Sequence, residues 1–157
     1  MRYTRVWVVF PLVISLILIA CNSKSSEVDF SPADQIWTYK DSLELNYVPV
    51  LNTRVLVKTR IEYTKNYPFR DLLLKETIIT PNGDTSHFNH KINLFTVNGA
   101  PTGEKGFLSN QYSVDYQLHP ELMFTEAGKY TFRIKQYVRA DSLPGIDLVS
   151  LKAVIQE

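Results

Sequence analysis

From Ile36 onward the apolar residues recur at every second position, the period of a strand with one buried face and one wet face rather than that of a helix. Between Thr53 and Thr64, Val55, Val57, Thr59, Ile61 and Tyr63 alternate with Arg54, Leu56, Lys58, Arg60 and Glu62. The alternation returns at Tyr112, Val114, Tyr116 and Leu118, and again at Tyr130, Phe132, Ile134 and Val138. In the last of these Gln136 falls on the inner face, where its amide needs a hydrogen-bond partner. Phe69 to Thr80 and Thr85 to Thr96 form a further pair joined by Pro81-Asn82-Gly83-Asp84, and Asn-Gly between two apolar runs predicts a hairpin. Leu72-Leu73-Leu74 followed by Ile78-Ile79 is apolar on both faces, which predicts a strand covered on two sides or changing sheets. A final strand from Asp147 to Ile155 follows a connection rich in turn formers, Ala140 to Gly145, and Trp37 to Leu45 supplies one or two edge strands.

Seven or eight strands without a sustained helical stripe predict an all-β fold, a single antiparallel β-sandwich domain. A closed barrel has the same strand count and alternation. An integral outer-membrane barrel does not fit, because the wet faces carry Arg, Lys, Glu and Asp where lipid would require apolar side chains.

The first 34 residues follow a different pattern. Arg2 and Arg5 precede an almost unbroken apolar run from Val6 to Ile19, shorter than a helix that spans a bilayer. This predicts an export signal over residues 1–20. It ends in Leu18-Ile19-Ala20-Cys21, the order of aliphatic, tolerant, small and cysteine read by lipoprotein signal peptidase. Cys21 is therefore the expected lipidation site, its thiol taking a diacylglycerol and its new amino group a further acyl chain such as palmitate. Stable anchoring needs more than one chain. Residues 21–34 then read as the lipidated cysteine and a polar tether, and 35–157 as the sandwich.

The chain contains a single cysteine. The mature domain accordingly has no disulfide, no thiolate nucleophile and no cysteine-based metal site. Of 17 Lys and Arg against 16 Asp and Glu, Arg2 and Arg5 leave with the signal, so the mature side chains sum to about −1. A near-neutral surface of mixed sign does not steer nucleic acid.

Motifs of chemistry are few. His87 and His90 lie on opposite faces of a strand, so they do not chelate, and His119 precedes Pro120 in an expected turn. No metal site and no cofactor are predicted. No serine lies in a Gly-x-Ser-x-Gly frame, and the carboxylates fall mainly on wet faces and in turns, so no catalytic residues are assigned and no enzyme is expected. Gly99 to Gly106 lacks the spacing of a phosphate loop and no helix follows it. The long connection from Val97 to Asn110 is the candidate partner-contact loop, with Phe107 and Leu108 its apolar residues to watch. Trp37, Tyr39 and Tyr137 are candidates for an exposed aromatic platform, the basis of an alternative reading as a glycan-binding lipoprotein.

The run Phe124-Thr125-Glu126-Ala127-Gly128-Lys129-Tyr130-Thr131-Phe132-Arg133-Ile134-Lys135-Gln136-Tyr137-Val138-Arg139, continuing into Asp141-Ser142-Leu143-Pro144-Gly145-Ile146, resembles the GldH family of gliding motility lipoproteins. The resemblance extends more weakly through Asp71 to Asp84. It departs at Val149-Ser150-Leu151, where the family leads one to expect a glycine, and at Phe107, where it leads one to expect a tryptophan in the long loop. The resemblance implies a non-enzymatic accessory or structural component of gliding motility and the associated envelope secretion. It further implies anchoring through Cys21 and contact with other envelope proteins. Asn22 stands where an aspartate retains many lipoproteins at the inner membrane, and the tether has no compact acidic run that would signal surface display, so the expected place is the outer membrane, facing the periplasm. It brings no catalytic residues.

Overall fold

The computed structural model describes residues 25–106 and 110–156, so Cys21, Phe107 and Leu108 lie outside the described residues. Eleven strands follow one another among them. They are β1 (Ser25–Phe30), β2 (Ile36–Thr38), β3 (Leu43–Tyr47), β4 (Arg54–Thr64), β5 (Asp71–Ile79), β6 (Thr85–Asn93), β7 (Glu104–Lys105), β8 (Gln111–Met123), β9 (Tyr130–Gln136), β10 (Ser142–Pro144) and β11 (Ile146–Gln156). One sheet has the order β1-β11-β4-β8-β7, a second β3-β9-β5-β6, and β2 pairs with β10 in a short ribbon. All pairings are antiparallel. The fold is the all-β, sandwich-like arrangement predicted, and the sheets do not join into a closed barrel.

The inner faces are those the alternation marks. Val55, Val57, Ile61 and Tyr63 of β4 meet Val149, Leu151 and Ala153 of β11 in one layer. Leu72, Leu74 and Ile78 of β5, with Phe132 and Ile134 of β9, form the other. Each large aliphatic or aromatic side chain removed from water contributes about 1.5–3 kcal/mol, so packing alone holds a domain that has no disulfide. Two inner-face polar groups are satisfied locally. Thr59 Oγ1 donates to the Ser150 carbonyl at 2.7 Å. Gln136 donates to the Ala140 carbonyl at 3.0 Å and accepts from the Val138 N–H at 2.9 Å, which supplies the partner its inward position demands.

Three differences from the sequence reading have local causes. Ser25–Phe30, read as part of a tether, is a full strand: Val28 and Phe30 pack on the core while Glu27 and Asp29 face water, a period of two that the serine-rich composition masks. The Leu72-Leu73-Leu74 run neither changes sheets nor is covered on both sides. β5 stays central in its sheet and Leu73 points outward, 37% exposed. β8 runs on through His119 and Pro120 to Met123 instead of turning, and Pro120 is tolerated because this stretch of β8 has no partner beyond β4 among the described residues.

Along one side β1 lies beside β3 and closes the sandwich. Along the other side the edges of β6 and β8 face one another across an open mouth.

Gly145 separates β10 from β11 at φ +80°. Its N–H donates to the Gln35 carbonyl and its own carbonyl accepts from the Thr64 N–H, both at 2.9 Å. A Cβ there would fall 2.4 Å from the Tyr67 nitrogen, whereas one on Gly99, at φ +77°, would meet nothing within 4 Å. Gly99→Ala should cost only the left-handed backbone penalty, about 1 kcal/mol. Gly145→Ala should cost about 3 kcal/mol, strain and collision together, and urea midpoints of the two variants compare them directly.

Candidate functional site

Glu76 occupies the inner face of β5 between Leu74 and Ile78, and its side chain is fully buried. Burial pushes a carboxyl upward, but hydrogen bonds from His119 and His90 more than offset it, and Glu76 is held below the ordinary carboxylate range. His90 Nε2 lies 2.8 Å and His119 Nε2 2.9 Å from the same oxygen, Oε2. The other oxygen, Oε1, is buried with no hydrogen-bond partner among the described residues.

The two histidines arrive by different routes. His90 sits in β6 opposite Leu74, so it shares the inner face and lies diagonal to Glu76. His119 comes from the opposite sheet. Strict alternation along β8 puts Tyr116 and Leu118 inward and His119 outward, yet the β4–β8 register shifts twice, so that Val57 faces His119 while Lys58 faces Gln117. This bulge leaves Leu118 buried and also turns His119 toward Glu76. Aromatic rings enclose the cluster: Phe88 meets His119 edge-on at 4.9 Å, and Tyr116 meets His90 at 5.9 Å. The histidine side chains are 9% and 14% exposed, at the mouth between β6 and β8. One ligand-type atom from each of the three residues lies within 4.8 Å of the others.

The sequence puts His87 and His90 on opposite faces of one strand and gives His119 no role. The structure leaves His87 exposed, with its Nδ1 3.0 Å from Thr77 Oγ1, and joins His90 to His119 instead. Glu76 falls on the apolar face of a predicted strand, a signal visible in the sequence; the bulge that delivers His119 is not.

A second concave feature lies at the end of the strands near the β4–β5 connection. It is a shallow cleft of about 480 Å³ bordered by Tyr67, Phe69, Arg70, Phe95 and Val97. Tyr67 donates to the Asp71 carbonyl at 3.0 Å, and burial together with the Asp71 charge pushes its phenol well above the ordinary value. Val97, in the long connection named as a partner-contact loop, is 82% exposed. The aromatic platform loses its indole: Trp37 is completely buried against Phe30, while Tyr39 and Tyr137 are exposed. No helix among the described residues is long and apolar enough to cross a membrane.

The profile of the family described as GldH lipoprotein matches residues 27–152. A gliding motility lipoprotein GldH of Flavobacterium johnsoniae is 28% identical over 139 residues, covering 87% of this chain and 84% of that protein. Among solved structures, one titled as that of infectious bursal disease virus Gt strain aligns at 12% identity and a TM-score of 0.20. It covers 83% of this chain, which spans only 38% of the viral one, and at that TM-score it carries no argument.

Removing the carboxylate leaves two imidazole donors facing an apolar wall, the costly half of breaking a buried pair. Glu76→Ala should therefore destabilise by about 3–5 kcal/mol. His119→Ala, which leaves one donor on Oε2, should cost less, about 1–3 kcal/mol. Chemical denaturation at neutral pH orders the two.

Proposed function

The chain belongs to the GldH lipoprotein family, and on that premise we propose that it is a lipid-anchored, non-enzymatic component of bacterial gliding motility and its associated envelope secretion machinery. The observation that carries the reading is the family match over residues 27–152, together with a relative named for gliding motility. The protein acts through contacts with other envelope proteins, and it is held at the outer membrane, facing the periplasm, by acyl chains on Cys21.

The placement of β1 supports the anchoring. Only residues 22–24 separate Cys21 from Ser25, the first residue of the strand, so the lipidated cysteine lies within about 14 Å of the sheet at full extension. The domain rides close to the bilayer. Ser25 pairs with Val154 and Val154 with Leu56, so β1 begins at the same end as the start of β4 and the 48–53 connection before it. That end carries Val48, Val50, Leu51 and Met123, exposed by 69%, 58%, 40% and 56%. Apolar side chains next to an acyl anchor add buried area at a lipid interface. The cleft at the opposite end of the strands, with its exposed Val97, then faces away from the membrane and is open to a protein partner.

Deletion of the gene should abolish colony spreading, and the wild-type gene should restore it. A Cys21→Ala version should accumulate as unprocessed or soluble protein, fail to sediment with outer membranes and fail to restore spreading. Normal spreading by the deletion strain would remove the motility role; spreading restored by Cys21→Ala would remove the need for the anchor.

A further inference from the structure

We propose that Glu76, His90 and His119 form a binding site for a divalent transition-metal ion of the zinc class, placed between the two sheets at the mouth of the sandwich. The donor set is two imidazole nitrogens and one carboxylate oxygen, the borderline combination that suits Zn²⁺ and its neighbours rather than Mg²⁺ or Ca²⁺. The three donor atoms already converge within 4.8 Å.

A tetrahedral ion about 2.0–2.1 Å from each donor needs those donors about 3.3 Å apart. The present separations from Oε2, 2.8 Å to His90 and 2.9 Å to His119, must open by about half an ångström, while the two histidine nitrogens, within 4.8 Å of each other, must close by up to about 1.5 Å; rotation of both imidazoles about χ1 and χ2 supplies these shifts. Both histidines present Nε2 to the same point; as the ion enters, each Nε2 gives up the proton it shares with Oε2, to its own Nδ1 where the ring is neutral or to solvent where the ring is protonated, and the freed lone pair takes the ion.

The second observation is Oε1, buried and without a hydrogen-bond partner among the described residues, on a fully buried carboxylate. An unsatisfied buried oxygen is costly, and a cation beside the carboxylate answers it, either by bidentate coordination or by drawing charge from both oxygens. The donors stand on three strands, β5 and β6 in one sheet and β8 in the other, so the site is preformed by rigid elements and the ion ties the sheets together. Phe88, 40% exposed and edge-on to His119, stands at the solvent side, where the ion enters and a fourth ligand, water or a partner's side chain, completes the shell.

The test uses the lipidated protein, purified from membranes in detergent, stripped with chelator and titrated with ZnCl₂, CoCl₂, MgCl₂ and CaCl₂. One Zn²⁺ per chain should bind and raise the thermal midpoint, and Co²⁺ should give the visible absorption of a tetrahedral nitrogen and oxygen site. His119→Asn keeps a donor near Oε2 and should fold, as near-ultraviolet circular dichroism reports, but lose at least tenfold in Zn²⁺ affinity together with the Co²⁺ band. His90→Gln provides an independent second variant with the same expectation. Absence of Zn²⁺ binding by the wild type, equal binding by folded variants, or preference for Ca²⁺ or Mg²⁺ would each overturn the site. None of these readouts depends on motility.

Discussion

A carboxylate with no exposed surface sits on the inner face of an interior strand of the four-stranded sheet, between two aliphatic neighbours. That position is tolerable only while donors reach it, and the donors come from both layers. His90 is set by the β5–β6 register and His119 by the β4–β8 register. A slip of one residue in β6 turns His90 outward; loss of the bulge in β8 does the same to His119. In a sandwich without disulfides, apolar packing tolerates several near-equivalent registers, but a buried charge tolerates one. Glu76 therefore couples the alignment of the two sheets across the side on which they do not meet.

The two sides of the sandwich are finished by different means. Where β1 lies beside β3 the gap is closed by backbone and by Phe30 packing against Trp37. At the opposite side β6 ends its sheet, and its outer face carries Thr85, His87, Asn89 and Lys91, polar residues that resist edge-to-edge association. The rings of Phe88, His90, His119 and Tyr116 fill the mouth from inside. The strand ends differ as well. The end at which β1 begins carries exposed aliphatic side chains, whereas the far end carries the cleft in which Arg70, paired with Asp71, stands beside Tyr67 and Phe95. On the anchoring proposed above, a lipid at the first end would turn the second away from the membrane surface.

Most of the architecture was legible because the period-two pattern survives wherever strands carry one dry face: Val55 to Tyr63 and Tyr130 to Gln136 are buried and exposed in the order their sequence states. The Pro81 to Asp84 turn follows from the left-handed preference of its glycine, at φ +91°. Elements whose pattern is too short or too polar were not legible, among them β1 behind its serines and the two- and three-residue strands β7 and β10. Trp37 looked like a candidate for exposure because its strand lies at an edge. It is buried because the β2–β10 ribbon pairs it with Leu143 and turns it onto Phe30, a tertiary fact without a local signal.

The cluster itself was hidden by parity. Alternation is a reliable guide only while each residue on a strand faces one residue on its neighbour, and between Gln117 and Leu122 β8 breaks that rule twice. The same irregularity has a second consequence at the edge. Beyond the two residues covered by β7, the edge of β8 away from β4 has no further strand partner among the described residues, and bulges twist such an edge so that an incoming strand cannot match its hydrogen bonds over any length. One local departure from regular pairing thus blunts an exposed edge and swings His119 into the interior. Restoring a regular β8 would lengthen the open edge and leave Glu76 with one histidine, so protection of the edge and assembly of the cluster are the same structural feature.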